Sequence, residues 1–219
     1  LKIFKNKYVA VISSIITGLY PFFIFYSITG LSETLYIFLL TISFYSLYSK
    51  RFVLGSFFIV LSILQRPLLD ILAIPLVICF SILVHKQSYK KTFFNISIYT
   101  FIYLILMSPW WYHQYSKYGS FVRLNLGSGT VLYAGNNPLD SSGGGVTNSK
   151  KGADVNFSKF NSIKDPIEKN NTKIKAAIEY ILNNKKHFIK MSGVKFIRFW
   201  RLWPYAPEYE KPFYIIASI

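Results

Sequence analysis

The chain has 219 residues, 52% of them hydrophobic and 19% aromatic, with a mean hydropathy of +0.33 and a formal net charge of +16. That is more apolar surface than a soluble domain of this size hides, and it comes in runs of near-membrane length, so composition argues for a multi-pass membrane protein. The single cysteine, Cys79, leaves no disulfide framework and no cysteine-based metal site.

The first apolar run covers 8–29, with Gly18, Pro21 and Gly30 marking a kink or break. Further runs cover 35–48, 52–64, 68–84 and 94–111, giving about five membrane-spanning helices, two of them, 35–48 and 52–64, well short of the ~20 residues a perpendicular span needs. If the runs alternate, Lys2, Lys5, Lys7, Lys50, Arg51, Lys86, Lys90 and Lys91 share one side, which the excess of cations in short loops makes cytoplasmic. The opposite short loops carry only Arg66 as a cation. Residues 112–212 then form an extracytoplasmic domain, and 213–219 begin a further span.

Ser108-Pro109-Trp110-Trp111-Tyr112-His113 is the kind of aromatic cluster a helix carries where it leaves a bilayer. Beyond it, 121–126 and 130–134 read as short strands around Gly127-Ser128-Gly129, so the outer domain is expected to be small and mixed α/β. Ser141-Ser142-Gly143-Gly144-Gly145 reads as a loop, and 147–161 shows no sustained periodicity. Asp165-Pro166 is a helix start, and Ile174, Ile178, Ile181 and Leu182 continue one stripe to about Asn184. A second amphipathic helix is expected over 187–203, where Lys195, Arg198 and Arg201 recur every three residues opposite Phe196, Phe199, Trp200 and Trp203. It either lies in a membrane interface or packs on its own domain.

Glu33, Arg66 and Asp70 are the ionisable residues embedded in or beside the apolar runs, where charge is costly unless paired or lining a wet cavity. Arg66 and Asp70 stand four apart, which suits a mutual ion pair on one helical face, while the Arg66 guanidinium equally suits bidentate phosphate binding. Glu33, between Ser32 and Thr34, reads either as a cavity carboxylate or as a first-turn acid favoured by the helix dipole. His113 stands without a second ligand at metal spacing and reads foremost as an interfacial residue. Gly135-Asn136-Asn137-Pro138 is a tight turn. Asn156-Phe157-Ser158 and Asn170-Asn171-Thr172 match the glycosylation acceptor pattern at the rate an Asn-rich chain produces by chance. The positive charge suits phosphate or anionic lipid, and the joint abundance of Lys, Asn, Ile, Phe and Tyr is equally what AT-rich coding produces.

Taken in order, Tyr20-Pro21, Ser32-Glu33, Arg66-Pro67, Ser108-Pro109-Trp110, Tyr118-Gly119 with Phe121-Val122, and Gly135-Asn136-Asn137-Pro138 resemble the polyprenyl-phosphate-dependent membrane glycosyltransferases of the GT-C type, closest to the protein O-mannosyltransferase-like and aminoarabinose-transferase-like enzymes. The resemblance runs from about 8 to 140 and more loosely through Phe199-Trp200 to Pro204. It implies transfer of a sugar from a polyprenyl-phosphate carrier to an acceptor at the extracytoplasmic face. On that reading Glu33 is an auxiliary catalytic carboxylate, and Arg66, Asp70, His113, Asn136 and Asn137 are substrate-binding. Two departures stand out. His113-Gln114-Tyr115 replaces the family's Arg-Asn-Tyr, and the family's principal acidic residue belongs to a loop expected upstream of Leu1, as in a piece of a longer protein. Membrane lipids and the carrier-linked sugar are the expected partners, with no nucleic acid, no cofactor and the metal requirement open. The alternative of a different class is a non-catalytic membrane scaffold or polyprenyl-lipid-binding protein of the cell envelope. A transporter fits less well, because broken half-helices do not recur in paired positions.

Overall fold

The computed structural model describes residues 5–28, 30, 32–139 and 157–200, and the chain divides into two compact units, Leu1–Leu124 and Asn125–Ile219. The loop 141–145, Asn156, the end of the 187–203 helix and the expected span at 213–219 lie outside the described residues.

In the first unit, α1 (Lys7–Leu19) starts where the Asn6 side chain accepts the N–H groups of Tyr8 and Val9, and it ends at Tyr20. Pro21 disfavours the helical conformation for the residue before it, and Tyr20 is extended (ψ 117°), so the first apolar run breaks in two. Helix α2 (Pro21–Ile28) follows, then α3 (Ser32–Tyr48) and α4 (Phe52–Gln65). The same pre-proline rule ends α4: Arg66 is extended (φ −146°, ψ 124°), and Pro67–Leu69 forms only a 3-10 turn. A short α5 (Ala73–Cys79) passes into a π-helical turn, Phe80–Val84. Last comes α6 (Tyr89–Tyr118), 30 residues long and closed by Gly119 in the left-handed region (φ 64°), where a residue without Cβ is unstrained.

Pro109 lies inside α6 and cannot bond the Ile105 carbonyl, yet the helix continues. Ser108 Oγ donates to that carbonyl at 2.9 Å and replaces the missing partner. Helix α4 packs on both α3 and α6. Leu47, Ile59, Val60, Ile63, Val77 and Met107 form the centre of the core. The α3–α4 approach is close because small residues line it: Ser43, Ser46, Gly55, Ser56 and Ser62 are buried, and a Cβ on Gly55 would stand 2.6 Å from the Leu47 side chain.

The second unit holds α7 (Ser128–Ala134), a 3-10 turn at Ser158–Phe160, α8 (Pro166–Asn183) and α9 (Lys185–Phe199). Asp165 caps α8 by accepting the N–H groups of Ile167 and Glu168, both at 3.1 Å. Helices α7 and α8 meet at Gly129, whose N–H donates to the buried Asn170 Oδ1 at 2.8 Å; a Cβ on Gly129 would lie 2.3 Å from the Asn170 carbonyl oxygen. Tyr133, Ala134, Phe160 and Ala177 form this unit's core. Asn170, one of the two acceptor-pattern asparagines, is thus committed to packing.

Two expectations are overturned. Among the described residues one helix, α6, is long and apolar enough to cross a membrane, against about five read from the sequence. Pro21 cuts the first run to the 13-residue α1, and the 52–64 run forms only the 14-residue α4. At ~1.5 Å per residue they reach ~20 Å, well short of a ~30 Å hydrocarbon layer. The region 112–212 is also not mixed α/β, since its described residues contain no strand. Residues 121–126 are irregular, their carbonyls at Arg123 and Leu124 taken by the Trp111 and Trp110 indoles, and 130–134 belongs to α7 because Gly129 must approach α8.

Candidate functional site

The extended backbone that Pro67 forces on Arg66 turns its side chain away from the i, i+4 geometry that would have paired it with Asp70. Its guanidinium reaches instead to the start of α3: Nε donates to Ser32 Oγ at 3.0 Å, and an NH2 group bonds and ion-pairs with Glu33 Oε1. The other carboxylate oxygen, Glu33 Oε2, is buried and makes no hydrogen bond. Tyr36, one turn along α3, is buried; burial raises its hydroxyl above the ordinary tyrosine value and the Arg66 charge opposes that rise. Arg66 is itself partly open to solvent. The group therefore comprises a partly exposed cation, a hydroxyl, and a carboxylate with one idle, water-shielded oxygen.

At the other end of the Pro67–Leu69 turn, Asp70 is 5% exposed and fully engaged. Tyr103 Oη donates to Oδ1 at 2.8 Å, and Arg123 ion-pairs with Oδ2 at 2.8 Å. Arg123 is 59% exposed. Its hydrogen bond with Tyr103 holds it more firmly protonated than usual; burial opposes this, and the Asp70 charge adds to it. The Trp111 and Trp110 indoles fix the Arg123 and Leu124 carbonyls at 2.9 and 3.0 Å, so the chain returning from α6 is held against that helix. Trp111 also stands edge-on to Tyr103, with ring centroids 5.9 Å apart.

Of the residues singled out in the sequence, Glu33, Arg66 and Asp70 thus flank one short turn, but with Arg66 paired to Glu33 and Asp70 to Arg123. His113 is exposed on α6 with its ring 6.1 Å from Trp110. Asn136 and Asn137 belong to the second unit. The buried Asn137 amide donates to the Tyr133 and Ala134 carbonyls and accepts the Leu139 N–H, closing the C-terminus of α7. Asn136 donates to the Leu132 carbonyl at 3.0 Å. Both border a shallow depression with Tyr180, His187 and Met191.

Arg123, Tyr103 and the two indole contacts were not read from the sequence; the available signal was a solitary arginine in an apolar stretch just after a Trp-Trp exit. No family model, curated protein or solved structure matches the chain. The site must therefore be argued on its own chemistry. A guanidinium beside a carboxylate with a free lone pair can neutralise an oxyanion and accept a proton from a hydroxyl. Among the described residues no three His, Cys, Asp or Glu side chains gather as a metal site would require.

Proposed function

We propose that the protein acts at a membrane in transfer of a sugar from a polyprenyl-phosphate carrier, with the residues that follow α6 on the extracytoplasmic side. The observation that carries this reading is the idle, buried Glu33 Oε2 held beside the Arg66 guanidinium. Breaking a glycosidic bond to phosphate develops negative charge on the leaving group, which a fixed guanidinium stabilises, and the acceptor hydroxyl needs a base. Arg66 would meet the carrier phosphate, and Glu33 would orient or deprotonate the acceptor. The ordered motifs from Tyr20-Pro21 to Asn137-Pro138 support the same class, and α6 supplies the membrane anchor. Lys86, Lys90 and Lys91 ahead of its apolar stretch favour the stated orientation.

The test is sugar release from a polyprenyl-phosphate donor by the protein expressed from its complete reading frame in membranes. Arg66→Ala and Glu33→Gln are each expected to lower turnover by on the order of a hundredfold. Arg66→Lys should recover only part, because an ammonium lacks the planar fork. Wild-type turnover in either of the first two variants removes that residue from the reaction.

A second reading, a carrier-lipid-binding protein without turnover, is favoured by one feature: the Arg66 guanidinium is already engaged by Ser32 and Glu33. It predicts that the carrier binds, that Arg66→Ala weakens binding, and that no sugar is released by the wild type.

A further inference from the structure

Helix α9 packs through one side and leaves another bare. Met191 is buried, with His187 and Val194 half-buried beside it, which fixes the inward face. On the opposite side Ile189, Phe196 and Trp200 recur at i, i+7 and i+11, a spacing that returns to one line along a helix. They are 70%, 66% and 67% exposed. Phe199 adds its ring edge-on to Trp200, with centroids 5.4 Å apart. Exposed Lys186 and Lys190 flank this stripe, and no Asp or Glu occurs anywhere from Lys185 to Phe199.

The geometry points to α9 as a surface that docks in the plane of an anionic lipid bilayer, its aromatic stripe entering at headgroup depth and its lysines meeting lipid phosphates. Aromatic and branched aliphatic side chains between cations are what an interfacial helix presents, and long lysine stems reach headgroups while burying their methylenes. Charge decides among occupants. A second copy of this chain would bring the same unpaired positive flank against itself, whereas an anionic leaflet is complementary. Because α6 is long enough to anchor the chain, the bilayer is also close at hand. This inference is independent of any sugar transfer and stands or falls without it.

Gly193 lies between Ile189 and Phe196, and a Cβ there would meet no atom within 4 Å, so a reporter is accommodated. The experiment uses the full chain in lipid nanodiscs, with Cys79→Ser and a bimane label on Gly193→Cys. Exposed Glu179→Cys on α8 serves as the comparison site. In phosphatidylcholine mixed with phosphatidylglycerol, the label at 193 should be blue-shifted and shielded from acrylamide. In phosphatidylcholine alone it should be open, and the label at 179 should be open in both. Lys186→Glu with Lys190→Glu should lower the docked-to-undocked ratio by on the order of tenfold in the anionic discs. Equal exposure of 193 in the two lipids would overturn the proposal. So would equal shielding in both, which would assign the stripe to a protein segment or partner.

Discussion

Asp70 shows how a single buried charge organises its surroundings. Its two oxygens accept from Tyr103 and Arg123, so removing either donor leaves a carboxylate short of a partner where water is scarce. Arg123→Ala is expected to destabilise the first unit by about 2 kcal/mol and Tyr103→Phe by about 1 kcal/mol. The double variant should depart from additivity by at least about 0.5 kcal/mol, since both donors serve one acceptor. Denaturant titration in detergent, read by circular dichroism, measures all three, and strict additivity would show that the two bonds act separately. The sequence revealed that Glu33, Arg66 and Asp70 are costly charges needing partners, but not who the partners are. An arginine four residues before an aspartate invites an i, i+4 pair only if the intervening backbone is α-helical, and Pro67 makes it extended and then 3-10. Arg123 was beyond reach because its pairing depends on where α6 returns the chain.

At the scale of elements, starts and stops were the most legible features, because they are local. Asp165-Pro166 opens α8 as read, and Pro21 breaks the first apolar run. What misled was treating apolar runs as lengths of helix without subtracting the residues prolines remove, and treating Thr130-Val131 as a strand although β-branching yields to tertiary packing. Two glycines carry the close approaches. Gly55→Ala, pressing on Leu47, should cost about 1–3 kcal/mol in the first unit. Gly129→Ala should cost the second unit more, because its Cβ meets the Asn170 backbone carbonyl rather than a side chain able to swing away. Hydrogen exchange read separately over α3–α4 and α7–α8 would assign each loss to its unit. A Gly129→Ala protein with native protection in α8 would mean that the helices can part at little cost.

At the scale of the whole molecule, the dominant quantity is a net charge of +16, and the fold holds some of that charge at a cost. Lys173 bonds Thr130 Oγ1 at 2.9 Å and lies over the Phe157 ring, yet burial and then the nearby Lys169 hold its affinity for a proton below the ordinary lysine value of 10.5. Below the folded-state value both folded and unfolded chains are protonated there, and the fold carries the penalty of a confined charge. Between that value and 10.5 the folded chain has released a proton that the unfolded chain retains, so this group's contribution to stability rises with pH. Lys173→Met should abolish that slope: the difference between variant and wild-type midpoints should change as the pH rises toward 10.5. A difference independent of pH would show that Lys173 is as free to ionise as in the unfolded chain. Composition pointed at this scale to apolar segments of membrane length while overstating their number, since hydropathy counts apolar residues irrespective of the turns between them and only α6, among the described residues, is long and apolar enough to cross.

Helix α6 passes through Pro109 without stopping and, at ~1.5 Å per residue, measures ~45 Å, about half again the hydrocarbon thickness. Where it crosses a bilayer, the surplus has to be taken up by tilting or by protrusion. The returning loop is fastened to this rod by two indoles, and the loop in turn grips Asp70 through Arg123. In that setting the 18-residue apolar stretch, 94–111, matches the hydrocarbon at ~27 Å and the surplus is polar helix outside it, so the loop is no free tether and the charged pair keeps whatever depth α6 itself takes.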